Sequence, residues 1–127
     1  MNQKLFNTAL LMQNKAHAPF SNYKVGAAVE CYNGEIIGGF NIESSSYGLT
    51  CCAERVALYK ALTEGHAKFI SLAVVTQNGG MPCGACRQVI WEICKKIPIH
   101  ICNKNGLIKT VDSSKLLPEA FDSKFLK

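Results

Sequence analysis

The sequence predicts an α/β layered domain in which about five strands form a sheet flanked by helices. Three observations carry that expectation. Apolar residues recur at helical spacing in well-separated stretches, β-rich runs lie between them, and Asn-Gly, Gly and Pro stand where the period changes.

The first helical stretch runs from about Gln3 to Ala16, with Leu5, Phe6, Ala9, Leu10 and Met12 on one face, and it stops ahead of Pro19. Two strands follow, roughly Val25 to Tyr32 and Glu35 to Ile42, joined by Asn33-Gly34. Both turn residues tolerate positive φ, so a tight antiparallel hairpin is expected. Thr50 is placed to cap a helix reaching about Glu64, with Gly65 where a left-handed residue closes it. The run FISLAVVT is continuously apolar, as a strand covered on both faces must be. After Pro82 a helical pattern of Val89, Ile90, Ile93 and Ile97 is ended by Pro98. IHIC and LIKTV then read as short strands around the turn NKNG, and SSKLLPEAF as a terminal short helix or turn. There is no internal repeat, low-complexity tract or evident linker, so residues 1–127 are expected to form one domain.

Composition narrows the function. With 48% hydrophobic and 18% charged residues, the chain of 127 residues can bury a real core or hide surface in an oligomer. No apolar run approaches a membrane span, and the N-terminus is broken by Asn and Gln where a signal peptide is continuously apolar. Seven cysteines, an odd number, fit a reducing compartment with metal-binding or reactive thiols better than a disulfide framework, so a cytoplasmic protein is expected. The net charge of +5 comes from scattered lysines without a block of like charge, which argues against a nucleic-acid partner. Arginine occurs only as Arg55 and Arg87, each inside a cysteine motif.

Those motifs are TCCAER, at Thr50–Arg55, and PCGACRQV, which begins at Pro82. Cys83 and Cys86 form a C-x-x-C pair opening a helix, a spacing that lets two sulfurs meet one ion. Adding Cys52 makes three protein ligands and leaves the fourth tetrahedral position of Zn²⁺ to water, as in catalytic zinc sites. Glu54 then stands beside that water as acid and base. Three thiolates and Zn²⁺ sum to −1, which opposes ionisation of the water, so positive partners are needed. Two helix N-termini and Arg55, donating to a thiolate, are the expected ones. Taken alone, the C-x-x-C pair also fits a structural zinc or a redox pair, and a fourth sulfur from Cys51 would close the site.

The Cys-Ala-Glu and Pro-Cys-x-x-Cys motifs together resemble those of zinc-dependent deaminases, with Cys in place of His as first ligand. NIESSSYGLTCCAER with PCGACRQV is similar, more narrowly, to the small homotetrameric cytidine deaminases that act on free nucleosides, and the similarity runs from FSNYKVGAAV to LLPEAF. The resemblance implies a three-layer α/β/α fold with a mixed five-stranded sheet, and deamination of cytidine and 2′-deoxycytidine to the uracil nucleosides in pyrimidine salvage. It implies Cys52, not Cys51, as the metal ligand, and Glu54 as the proton carrier between water, N3 of cytosine and the departing amine. It places Asn41 and Glu43 on the ribose and Tyr23 near the substrate. Phe121 matches an aromatic that the family supplies from a neighbouring subunit, so active sites shared within a homotetramer are expected. Without the resemblance, strand alternation makes Asn41 and Glu43 ordinary solvent-facing residues and Tyr23 and Phe121 core aromatics. Rival readings are an aminohydrolase acting on a cytosine-containing antibiotic or on a base in RNA or DNA, and a non-enzymatic zinc-stabilised module.

Overall fold

Asn2 begins the first helix, α1 (Gln3–Lys15), by accepting the Lys4 N–H at Oδ1 over 2.8 Å. This is a computed structural model, and it describes residues 1–126, so the last residue of the expected 1–127 domain lies outside the described residues. The expected antiparallel hairpin forms from β1 (Gly26–Cys31) and β2 (Ile36–Phe40), but of the turn pair only Gly34 takes positive φ, while Asn33 contributes through its side chain. Gly34 takes φ +93° and donates its N–H to the Cys31 carbonyl at 2.9 Å, while Asn33 Oδ1 accepts the Glu35 N–H. Then come α2 (Ala53–Thr63), β3 (Phe69–Val75) and α3 (Gly84–Cys94). The chain closes with β4 (Pro98–Asn103), β5 (Gly106–Asp112) and the one-turn α4 (Ser113–Leu116).

The five strands form one sheet in the order β2-β1-β3-β4-β5, in which only β3 and β4 run parallel, so the sheet is mixed. Strand alternation decides what each face packs against. Val29, Leu72, Val74, Ile99 and Ile101 share a buried cluster with Leu58 of α2 and Ile90 of α3. Ala28, Ala73, Val75 and Cys102, one residue out of step, share another with Leu5, Phe6 and Ala9 of α1. Helices therefore cover both faces, and the three-layer α/β/α arrangement is present. The larger aliphatic side chains lie on the α2–α3 side, where each buried Leu or Ile contributes about 1.5–3 kcal/mol, so the same packing that stabilises the fold fixes the two helices that carry the cysteines. Gly39 of β2 sets the height of α2: a Cβ there would stand 2.5 Å from the Ala57 nitrogen, so only glycine lets the helix lie this close.

Three boundaries differ from expectation, the first two because a side chain takes over a backbone bond and the third because the backbone itself turns. β2 stops at Phe40, not Ile42. Past it, Asn41 accepts the Val25 N–H at 2.9 Å and donates to the Tyr23 carbonyl at 2.9 Å. Thr50 does not cap α2; its hydroxyl accepts the Ser44 N–H at 3.1 Å, and the N-cap is Cys52. The third helix ends at Cys94, where Lys95 turns to φ 56°, three residues before Pro98. Gly65, at φ +93°, follows α2 in the expected left-handed conformation.

Candidate metal centre and pocket

Helices α2 and α3 begin at the same place, and each is headed by a cysteine in extended conformation: Cys52 before α2 and Cys83 before α3. An N-cap residue ordinarily spends its side chain on the first-turn N–H groups. Neither thiol does so. They face each other instead, Sγ to Sγ at 3.8 Å, and Cys86 from the first turn of α3 completes a trio whose sulfurs all lie within 4.8 Å of one another. Sulfurs that share a tetrahedral zinc at ~2.3 Å stand roughly 3.8 Å apart, so the spacing fits that ion.

The protonation chemistry points the same way. Hydrogen bonding from Cys86, together with the Arg55 guanidinium, holds the Cys52 thiol well below its ordinary range, whereas the same contact and burial push Cys86 up. The trio resists carrying more than one negative charge alone. A divalent cation removes that resistance, and two helix N-termini, each equivalent to about +0.5 charge, lie beside it. Arg55 Nη2 donates to Cys52 Sγ at 3.4 Å, and that contact pushes the guanidinium pKa further up. Its Nε is buried without a partner among the described residues, so this guanidinium still has a donor to give.

Cys51 stands outside the trio. Its backbone pairs with Ile42 in both directions at 3.0 Å, which fixes the segment entering α2 and turns the two adjacent thiols to different surroundings. Burial pushes the Cys51 thiol up, so it is the less reactive neighbour.

Next to the sulfurs lies a pocket of about 180 Å³ lined by Cys52, Cys83, Glu54, Asn41 and Tyr23, with Thr76 among its other walls. Glu54, in the first turn of α2, is 4% exposed. Burial, with a smaller contribution from the nearby Cys52 charge, raises its carboxyl pKa to about 7. A carboxyl so tuned can both take and give a proton near neutral pH.

The other sequence-predicted residues fall into distinct places. Asn41 is buried in the pocket wall, and its two backbone bonds leave its amide a second N–H and a second lone pair. Glu43 lies in a neighbouring hollow with Phe20, Ser21 and Tyr47, and Thr50 borders both spaces. Its carboxylate accepts the Phe20 N–H at 2.9 Å, the Ser21 N–H at 3.1 Å and the Ser21 hydroxyl, bonds that hold its pKa below the usual carboxylate range. Phe121 does not line its own chain's pocket; it is 54% exposed and stacks on Phe125 with ring centroids 5.7 Å apart. Arg87, unassigned from sequence, donates to the carbonyls of Pro82 at 2.8 Å and Leu116 at 3.2 Å, tying the loop before Cys83 to α4. Thr76, Gly80 and Met81, which belong to no motif in the sequence, also wall the pocket. Only a predicted strand end at Thr76, pointing the next segment toward Pro82, could have drawn notice to them.

Comparison with known proteins agrees with this geometry. A family described as the cytidine and deoxycytidylate deaminase zinc-binding region matches residues 1–101. A cytidine deaminase of Halalkalibacterium halodurans is 44% identical over 122 residues, covering 94% of this chain and 92% of that one. One of Sporosarcina psychrophila is 42% identical over 127 residues, covering 98% and 93%. The crystal structure of cytidine deaminase from Burkholderia pseudomallei superposes with a TM-score of 0.90 at 42% identity, covering 95% of this chain and 100% of that one.

Proposed function

This chain belongs to the cytidine deaminase family, and on that premise we propose that it hydrolyses cytidine and 2′-deoxycytidine to uridine and 2′-deoxyuridine plus ammonia, using zinc. The single observation that carries the reading is a buried carboxyl, Glu54, in the same small pocket as the three-sulfur site. Cys52, Cys83 and Cys86 would hold the metal. Zinc there supplies the Lewis acidity that makes water a nucleophile near pH 7.

Glu54 takes a proton from the attacking water and delivers it to N3 of cytosine as the bond to C4 forms. It then carries the second proton to the amine, which leaves as ammonia, and the pyrimidine is left as uracil. Water supplies both protons and the oxygen, so the sum is cytidine plus water to uridine plus ammonia. A carboxyl held near 4.5 would protonate N3 poorly, whereas one near 7 suits both directions of transfer.

Asn41 offers its remaining amide N–H to the ribose, Glu43 reaches the same sugar from the adjoining hollow, and Tyr23 packs beside the substrate. Arg55 tempers the sulfur charge from behind Cys52. The exposed, stacked Phe121 supports a role in a neighbouring subunit's pocket within a homotetramer. Among the described residues no helix is long and apolar enough to cross a membrane, which accords with a cytoplasmic salvage enzyme built from one domain.

The test is direct: zinc-loaded protein is mixed with cytidine, and uridine and ammonia are quantified. One ammonia per uridine is expected. Tight metal binding with no conversion of either nucleoside would make the chain a zinc-stabilised module and end this reading.

A further inference from the structure

Tyr23 is held at both ends. Its carbonyl accepts the Asn41 amide at 2.9 Å, and its hydroxyl donates to Asn78 Oδ1 at 2.7 Å, across 55 residues of sequence. Asn78 belongs to the irregular segment between β3 and Cys83, and the same segment is tied back to the sheet where the Gly80 N–H donates to Thr76 Oγ1 at 2.8 Å. Thr76 is 3% exposed, so the anchor itself does not move freely. Tyr23, Thr76 and Gly80 all line the pocket that holds Glu54. A Cβ on Gly80 would stand 2.5 Å from the Tyr23 hydroxyl oxygen, inside contact distance, while its next neighbours would be Asn78 Oδ1 at 3.5 Å and the Tyr23 ring carbon at 3.7 Å, both ordinary contacts.

We propose that Asn78 is a positioning residue for the substrate pocket, fixing the Tyr23 ring against the 77–81 segment, and that Gly80 must lack a side chain for this wall to close on a pyrimidine nucleoside. The role rests on the deaminase reading only for the identity of the ligand; the tether itself does not. The hydroxyl of Tyr23 is what makes both requirements. A phenylalanine at 23 would have nothing for Asn78 to hold and nothing for a Gly80 side chain to strike. Asn78 touches no reacting atom, so its removal acts on binding geometry and is felt in KM before kcat.

The experiment compares Tyr23→Phe, Asn78→Ala, their double variant, Asn78→Asp, Gly80→Ala and Tyr23→Phe/Gly80→Ala. Steady-state kinetics on cytidine and hydrogen exchange across residues 77–81 are measured for each. Loss of one neutral hydrogen bond is expected to raise KM about fivefold in Tyr23→Phe and in Asn78→Ala, with kcat within about twofold, and the double variant is no worse than either single one. Asn78→Asp keeps an acceptor oxygen and recovers most of the loss. Gly80→Ala raises KM tenfold or more, on the order of an overpacked contact, and Tyr23→Phe brings it back to the Tyr23→Phe level. Exchange across 77–81 accelerates equally in Tyr23→Phe and Asn78→Ala. Additive losses, a Gly80→Ala defect that survives removal of the hydroxyl, or unchanged exchange each overturn the tether. If the wild-type chain leaves cytidine untouched while exchange changes as stated, the deaminase reading falls and the tether stands.

Discussion

Glu54 shows what a single residue gives up for function. Its folded-state pKa of about 7 lies above the ordinary 4.5, because burial disfavours the charged form. Below about pH 4.5 the group is protonated in both folded and unfolded chains and costs nothing. Between 4.5 and 7 the unfolded chain releases its proton first, so stability falls as pH rises, by roughly 3 kcal/mol once both are ionised. Glu54→Gln, which cannot ionise, is therefore expected to be more stable than wild type above pH 7 and no more stable at pH 4.5, when metal-free proteins are compared by denaturant unfolding. A gap that does not depend on pH would remove burial as the cause. Arg55 acts on the sulfurs from behind, through its 3.4 Å bond to Cys52. Arg55→Ala is expected to weaken zinc retention about 10- to 100-fold in a chelator competition, with the fold intact by circular dichroism. At this scale the candidate metal site was legible from spacing: four other cysteines and six other glutamates lie elsewhere in the chain, but only Cys52–Glu54 and Cys83–Cys86 have the C-x-E and C-x-x-C spacings of the deaminase motifs. The choice of Cys52 over Cys51 came from the family resemblance, because spacing alone does not separate neighbours; the sulfurs that lie together are those of Cys52, Cys83 and Cys86. The backbone pairing of Cys51 with Ile42, which sets the two thiols apart, is a tertiary fact.

Elements place these residues. Both helices start at a thiol that forgoes capping, so each positive helix end stands beside the sulfurs. A metal held there would make itself and the two helices depend on one another. Removing zinc with a chelator should lower the melting temperature measurably, since a ligand bound at 1,000 times its Kd adds about 4 kcal/mol to the folded state. An unchanged melting temperature, with zinc shown to leave, would detach the site from the fold. Element type and order were readable from hydrophobic period and from Asn33-Gly34. Element ends were not, because Asn41 and Thr50 use side chains to replace ladder and cap bonds, and polar residues with this freedom leave no periodic trace. The parallel pairing of β3 with β4 is likewise a matter of which strand returns beside which.

The whole molecule leaves aromatic residues on its surface near and beyond the pocket: Phe20 is 55% exposed, Tyr47 78% and Phe121 54%. Gln88 and Trp91 of α3 hold the Phe121–Asp122 backbone and side chain at 2.8 and 3.3 Å, so Phe121 is presented outward from a fixed support. For a half-exposed side chain whose stated aromatic contact is its stack on Phe125, Phe121→Ala should lower stability by no more than about 1.5 kcal/mol. The shared-site proposal nevertheless expects it to raise KM for cytidine about tenfold, and expects wild-type activity to fall on dilution as assemblies dissociate. A fully active monomer in a sizing experiment would refute shared sites. The expectation of assembly rests on family resemblance alone, since the residues that would meet a partner look, within one chain, like scattered exposed aromatics.

The central claim is that a carboxylate at position 54 works beside a zinc held by three cysteines. The measurement that tests it most directly is cytidine turnover by wild type and Glu54→Gln, with zinc content determined on the same samples. One zinc per chain in both proteins is predicted, with kcat lower in the variant by at least about 100-fold. Undiminished turnover by a zinc-loaded Glu54→Gln protein would contradict it.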